Sequence, residues 1–565
     1  MYETFLTFGC LTWAPVRAES YQLPYSGLCM PAERASRRTA ALVALFFTAI
    51  ATIALRQDAN WDLRNYHLYT PLAWLEGRLA GDIAPAQLQS WHNPIVDIPF
   101  ALMVRAGLGG VPIAIWLAIP SLLALYFGLR LLDTLMPAQR SRARTWIAGF
   151  VAITGAAVYP GTAAIFNDHI VAAFMLGALL WLAQSQQRRG PVATWLPIGL
   201  MAGAAAGFKL TGVTYCLGFI AAAAVAGPVR QLPLRIGALA VGGGVAAALC
   251  WGPWGWYLWQ HHGNPLFPYF NQWFLSPDTI ADSWRDKRYL PESAVEILDA
   301  PLRLLRRSRD FSEPLLADPR VLLGLCALAA WLWLRRDRRI EAAQAVPGPA
   351  QADPELIAAE QNAAALRWPL LAFVAVGYFS WLTFYGIYRY LMPLELLFSL
   401  LIVGIVSMLF AQRWTRTAML IAMVLVIAPT KHPNWGRDPF RSPMIEVTFP
   451  ALPQGSIVLT STENPIAHAV AFLPREVPAM AIRNNFMDPQ RCTRLQERVE
   501  RTVATHPGPL WLLRPVRVDH PAAERMALYG LSVGGACLPV ADSLAEIELC
   551  PLARAPFAPI CVAGK

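Results

Sequence analysis

The chain has 565 residues, 56% of them hydrophobic and 15% charged, with a formal net charge of +10. Together with a mean hydropathy of +0.39, this excludes a chain that is water-soluble throughout. The basic residues form no single polar face but fall in clusters between apolar runs, at Arg37 and Arg38, 140–144, Arg188 and Arg189, 335–339 and 413–416. Cytoplasmic loops have this pattern under the positive-inside rule, and nucleic acid is excluded as the expected partner.

Residues 1–38 read as a cytoplasmic N-terminal extension. They contain no basic stretch leading into a compact apolar core and a small-residue cleavage site, so no cleaved signal peptide is expected. Residues 1–36 read either as a disordered extension or as sequence upstream of the true start. Apolar runs follow at 39–55, 111–132, 146–159, 170–182, 195–208, 212–226, 236–254, 321–334, 368–387, 391–410 and 417–428. Most are near the length that crosses a bilayer as a helix, about 17–25 residues, and runs of this kind exclude a barrel. With Arg37 and Arg38 inside and about eleven spans, every cytoplasmic turn is basic. The expected fold is a polytopic α-helical membrane protein. Its transmembrane domain covers 39–429, with a first outer loop at 56–97, a large outer segment at 261–320 and a flexible cytoplasmic linker at 335–366.

The tail, 430–565, alternates strand-like runs (456–460, 478–482, 510–513) with helix-like ones (465–472, 491–503, 521–529). A small α/β domain outside the cytoplasm is predicted. Of the nine cysteines, Cys216, Cys250 and Cys326 lie in apolar runs as small hydrophobes, whereas Cys492, Cys537, Cys550 and Cys561 suit disulfides in an oxidising compartment. GxxxxGK[ST], CxxC and HExxH are all absent, which removes the usual marks of nucleotide-driven and zinc-hydrolase chemistry.

Chemistry-bearing residues concentrate in the expected outer loops. The first reads Asp58-Ala59-Asn60-Trp61-Asp62-Leu63-Arg64-Asn65-Tyr66-His67, and later Trp91-His92-Asn93-Pro94. A helix starting near Asp62 places Asp62 and Tyr66 on one face with His67 beside them. Asp62 then reads either as a general base or as a helix cap. Asp168 and His169, at the second outer tip, read either as functional groups at a membrane boundary or as the cap of the span they open. Asp62 and Asp168 together could hold a divalent cation, Mg or Mn, although the spacing requires none. Lys209 and Arg389 sit where a phosphate would lie at the outer leaflet, or snorkel to the interface. The aromatics at Tyr66, Trp91 and 267–270 form an interfacial belt or stack on a sugar.

In order, these are an Asp in the first outer loop, a second at the second tip, Lys209, Gly263-Asn264-Pro265-Leu266-Phe267-Pro268, and Arg389-Tyr390-Leu391 opening a late span. This layout, over residues 39–410, resembles the GT-C membrane glycosyltransferases that use polyprenyl-phosphate sugar donors, among them protein mannosyltransferases and lipid A aminoarabinose transferases. Many members carry Asp-Glu in the first loop, whereas here Asp62 is followed by Leu63 and Arg64, so Asp58 competes with it. The resemblance implies inverting hexosyl or pentosyl transfer to a hydroxyl of a glycan, lipid or protein acceptor, at the periplasmic face of a bacterial inner membrane, in the service of the cell envelope. In it Asp62 is the base, Lys209 and Arg389 stabilise the leaving phosphate, and Asp58, Tyr66, His67, His92, Asn93, Asp168 and His169 bind substrate. The alternative is a transporter or flippase that binds the same lipid-linked sugar without chemistry. Transporters tend to place charges at mid-membrane on broken helices, and here the charges sit at outer helix ends.

Overall fold

The computed structural model describes residues 31–185, 189–344, 354–517, 522–558, 560 and 561. Residues 1–30, Arg188 and the 345–353 part of the expected linker lie outside the described residues. Seven helices are long and apolar enough to cross a membrane: Glu33–Leu55, Gly110–Leu135, Asp168–Ser185, Pro191–Phe208, Val229–Cys250, Leu356–Phe384 and Tyr388–Leu409. Two shorter apolar helices, Leu210–Val225 and Arg320–Leu334, stand where the sixth and eighth spans are expected. The third and eleventh expected runs are the helices Arg142–Ile153 and Gln412–Ile427.

The third run is cut short by two carboxylates far away in sequence. Its helix ends at Ile153, and the backbone then turns so that Ala156 N–H donates to Asp318 at 2.9 Å and Ala157 N–H to Glu395 at 3.1 Å. A Cβ at Gly155 would stand 2.2 Å from Glu395 Oε1, so only glycine admits the carboxylate. Non-helical backbone in an apolar setting needs such internal acceptors. Elsewhere small residues let helices meet backbone to backbone. A Cβ on Gly199 would lie 2.3 Å from Leu239 O, and one on Gly203 would lie 2.2 Å from Gly243 O. The helices Pro191–Phe208 and Leu232–Cys250 are thereby packed at small-residue contact, the mode of association lipid-embedded helices use.

At the end of the bundle where the basic turns lie, the 140–144 cluster is not simply a solvated loop. Arg144 is fully buried, donating to Asp133 and to Met136 O, while Arg130 pairs with Glu33. These contacts tie the first three helices of the bundle together.

At the other end, β1 (Gln57–Asp58) pairs antiparallel with β2 (Arg437–Asp438), joining the loop after the first helix to the segment after the last. Gly436 makes the approach possible: its φ is +106° and a Cβ there would meet Ala59 O at 2.9 Å. Beyond it lies the small sheet domain. Its strands are β3 (Val447–Thr448), β4 (Ile457–Ser461), β5 (Ala479–Arg483), β6 (Leu510–Pro515), β7 (Leu531–Val533), β8 (Leu538–Asp542) and β9 (Ile547–Arg554). The order is β3-β8-β9-β6-β4-β5, with β7 also on β9. β4 runs parallel to both β5 and β6, and the helix Arg494–Thr505 lies between β5 and β6 in the chain. Cys492–Cys561 and Cys537–Cys550 are disulfides.

Candidate functional site

The first outer loop is folded by its own polar side chains. Asn60 Oδ1 accepts from Leu63 N–H at 2.7 Å and thereby caps the wide π-turn Leu63–His67. Asp62 makes no side-chain capping bond, so the cap explanation for it fails. Its carboxylate instead accepts from Arg389 Nη1 at 2.8 Å and from the Tyr66 hydroxyl at 3.5 Å. The expected sharing of a face by Asp62 and Tyr66 holds, with the Tyr66 and His67 rings 4.0 Å apart.

A second ion pair lies beside the first. Lys209 follows the helix Pro191–Phe208, and its ammonium donates to Asp168 Oδ1 at 2.7 Å and to Phe166 O at 2.6 Å. The two cations share aromatic walls: Arg389 stacks over Phe166 at 4.5 Å and Tyr390 at 5.3 Å, and Lys209 lies over Tyr390 at 4.9 Å. Such stacking favours cations that have lost water. Asp62, Asp168, Lys209 and Arg389, drawn from four separate stretches of sequence, therefore form one cluster.

Two imidazoles, His67 and His92, flank it, and a third, His169, faces away from it. His67 Nδ1 lies 2.6 Å from Asp97 Oδ2, and Asn167 Nδ2 donates to the other Asp97 oxygen at 2.8 Å. His92 contacts the Tyr66 ring edge-on at 4.8 Å, and its Nε2 meets the Tyr269 hydroxyl at 2.8 Å. The Gly263–Pro268 motif serves that contact: Asn264 accepts from Leu266 N–H and donates to Tyr269 O, closing the turn that presents Tyr269. His169 is buried against Gly161, toward Met392.

Two expected substrate contacts have other employment. Asn93 donates to Gly207 O and Cys250 O, both at 2.8 Å, strapping together the ends of two helices. Asp58 is buried and accepts from Asn60 and from Ile165 N–H at 2.9 Å. It holds the loop to the second tip, while Asp62 alone of the two bonds to Arg389. Asp97, Asn167, Phe166 and Tyr390 join the site without having been singled out by pattern, and Tyr269 comes from the 267–270 aromatic stretch read as a belt or as stacking on a sugar. Asp97 and Asn167 each lie within an outer stretch already marked by its polar density, and Tyr390 adjoins Arg389, but nothing in their spacing predicts the contacts.

The electrostatics separate the groups. Burial acts to raise the Asp62 carboxyl, but Arg389, with Lys209 beside it, outweighs this and holds it below the ordinary carboxylate range. Asp58 is pushed up by burial against the opposing charge of Arg437. Burial, with Lys209 and Arg389 adding to it, pushes His92 down to about 3, so it is neutral at physiological pH. The cluster thus has the ionised Asp62–Arg389 pair and the Asp168–Lys209 contact beside a neutral imidazole.

The expected cation at Asp62 and Asp168 finds a poor donor set, because each carboxylate is already engaged by a protein cation. Among the described residues, Cys537, Glu548 and Cys550 form the one group of His, Cys, Asp and Glu side chains close enough to hold a metal, and its cysteines are joined as a disulfide. The chain matches no protein family, no curated protein and no solved structure.

Proposed function

We propose that this membrane protein is a GT-C-type glycosyltransferase that moves a sugar from a polyprenyl-phosphate donor to an acceptor hydroxyl, with inversion. The observation that carries the reading is the convergence of Asp62–Arg389 and Asp168–Lys209 under shared aromatic rings. The four groups sum to zero charge. A sugar phosphodiester brings one negative charge, and the polyprenyl phosphate released from it carries roughly −1.5 to −2 at pH 7. The charge that develops on the leaving oxygen is what Lys209 and Arg389 would stabilise, more strongly in the transition state than in the bound donor. Tyr66 and His92 would flank the sugar, and Asp62 would bind a hydroxyl or take its proton.

The eleven-span topology belongs to the same proposal. It places the cluster and the sheet domain at the periplasmic face of a bacterial inner membrane, and the two disulfides support an oxidising side for the tail. The acceptor would be a glycan, lipid or protein hydroxyl. A divalent ion would have to displace Arg389 and Lys209 from their carboxylates, so the proposal gives the charge-stabilising role to the two side chains.

The experiment supplies the purified chain in nanodiscs with labelled polyprenyl-phosphate sugars and simple hydroxyl acceptors, comparing wild type with Lys209→Met and Arg389→Gln. Donor-dependent transfer that both substitutions abolish supports the reading. Movement of the intact lipid-linked sugar across the bilayer, with no transfer from any donor, would replace it by the flippase.

A further inference from the structure

The His67 ring is held from one side only. Its Nδ1 is 2.6 Å from Asp97 Oδ2, and Asn167 fixes the second oxygen of that carboxylate at 2.8 Å. His67 and Asp97 are 2% and 1% exposed, so this contact is shielded from water. A carboxylate oxygen accepts, so the contact with Asp97 fixes a hydrogen on Nδ1, and in the ring's neutral form Nε2 is left with a bare lone pair. That Nε2 is buried and has no hydrogen-bond partner among the described residues. The ring packs on Tyr66, whose hydroxyl bonds to Asp62, so the free nitrogen belongs to the cluster. Asp62, by contrast, is already bonded to a guanidinium.

Resting on the transferase reading, we propose that His67 Nε2 takes the proton of the acceptor hydroxyl, with Asp97 and Asn167 as positioning residues that fix the ring and its tautomer. In the step, the acceptor oxygen forms its bond to the anomeric carbon while the bond from that carbon to the phosphate oxygen breaks. The electron pair leaves on the polyprenyl phosphate, whose charge Lys209 and Arg389 take up, and the proton goes to Nε2. The resulting imidazolium is stabilised by Asp97, and its proton returns to solvent before the next turnover. Asp62 then orients a hydroxyl through its remaining acceptor capacity. The titratable groups whose charges act on the ring are Asp97 opposite Nδ1, Asp62 and Asp58 from its own loop, and His92 across Tyr66.

The test uses the full chain in nanodiscs with a labelled polyprenyl-phosphate sugar. In His67→Asn the amide nitrogen can replace Nδ1 as donor to Asp97, but no basic nitrogen remains. His67→Gln is the second variant, and it keeps a polar atom near the Nε2 position without a base. The expected result is a fall in kcat of about 10²–10⁴ in each variant, with the donor KM within about threefold of wild type. The acid limb of the kcat profile should vanish in both, and added imidazole should restore part of the rate. Asp97→Asn should lower kcat and displace that limb while leaving donor KM in place. The inference is overturned if the His67 variants keep kcat within about threefold with an unchanged acid limb, or if Asp62→Asn alone removes that limb. Wild-type protein that transfers from no donor would instead sink the transferase reading.

Discussion

Replacing Arg389 with Gln removes the charge facing Asp62 while keeping a polar side chain. The pair is 2.8 Å apart with side chains 12% and 10% exposed, so it is largely withdrawn from water. At that separation the attraction is about 6 kcal/mol for an effective dielectric of 20. Desolvation offsets much of this, and losing one partner of a buried pair typically costs about 3–5 kcal/mol. The sign of the pH dependence follows from the direction of the Asp62 shift. Burial acts upward, and Arg389, with Lys209, holds the carboxyl below its ordinary value. The pair's contribution is therefore complete above the unfolded-state value, near 3.9 for an Asp, and is lost as pH falls through the lowered folded value. In Arg389→Gln the largest charge opposing burial is gone, so the carboxyl rises and Asp62 protonates at higher pH than in wild type. Transfer should drop about 10²–10³-fold, the usual loss for one group stabilising developing charge. The assay pairs kcat with thermal unfolding of the same nanodisc preparation across pH 4–8 (about the usable range). Arg389→Gln with transfer within about threefold of wild type and unchanged unfolding would refute the reasoning, because neither the charge nor the burial would then matter.

A leucine at Gly203, where a Cβ would already be 2.2 Å from Gly243 O, should lower detergent-solubilised thermal stability by about 1–3 kcal/mol. Alanine at Gly237, with nothing within 4 Å of its Cβ position, is the control and should change little. Removing Cys492–Cys561, which closes a separation of 69 residues, should destabilise the sheet domain by about 2–4 kcal/mol in denaturant titration. In cells, the four tail cysteines should resist thiol labelling until reduction; free labelling would contradict both the disulfides and an oxidising location. Chelation by EDTA should leave transfer within about twofold of its starting rate, because Arg389 and Lys209 already engage the two carboxylates. A collapse restored by Mg or Mn would reinstate a metal at Asp62 and Asp168.

What the sequence makes legible follows from the range of the forces involved. Apolar runs are local, and each expected run is helical in the structure. Full span length is harder to read, because it depends on distant partners. The run at 146–159 reads as continuous, yet its helix stops at Ile153 to hand backbone donors to Asp318 and Glu395, which lie far away in sequence. The site divides in the same way. Asp62 and Tyr66 announce themselves by helical spacing, and Lys209 and Arg389 by their place at helix ends. Their pairing with particular carboxylates is a tertiary fact. Asn93 is a substrate contact by the resemblance, but its amide strap across Gly207 and Cys250 depends on those two helix ends meeting, which no local pattern shows.

The sheet domain bears on this site although none of its residues is in the cluster. His468, fully enclosed, bonds through Nδ1 to Arg64 O within the π-turn that follows Asp62 and through Nε2 to Asp542. Arg78 of the same loop reaches Pro474 O at 2.9 Å, Gln87 reaches Glu463 O at 2.9 Å, and β1 is paired to β2. A polar loop of about forty residues on a membrane surface would ordinarily keep its charges in water. Here it is clamped between the helix ends and the sheet, which is why Asp58, His67 and Asp97 can be buried within it at all. Burial in turn pushes the Asp58 carboxyl up and leaves His67 Nε2 without a partner among the described residues. The tail is therefore part of the machinery that shapes the cluster. A substitution at His468, with no contact to any proposed substrate, would be expected to loosen the π-turn and with it the geometry of Asp62 and His67.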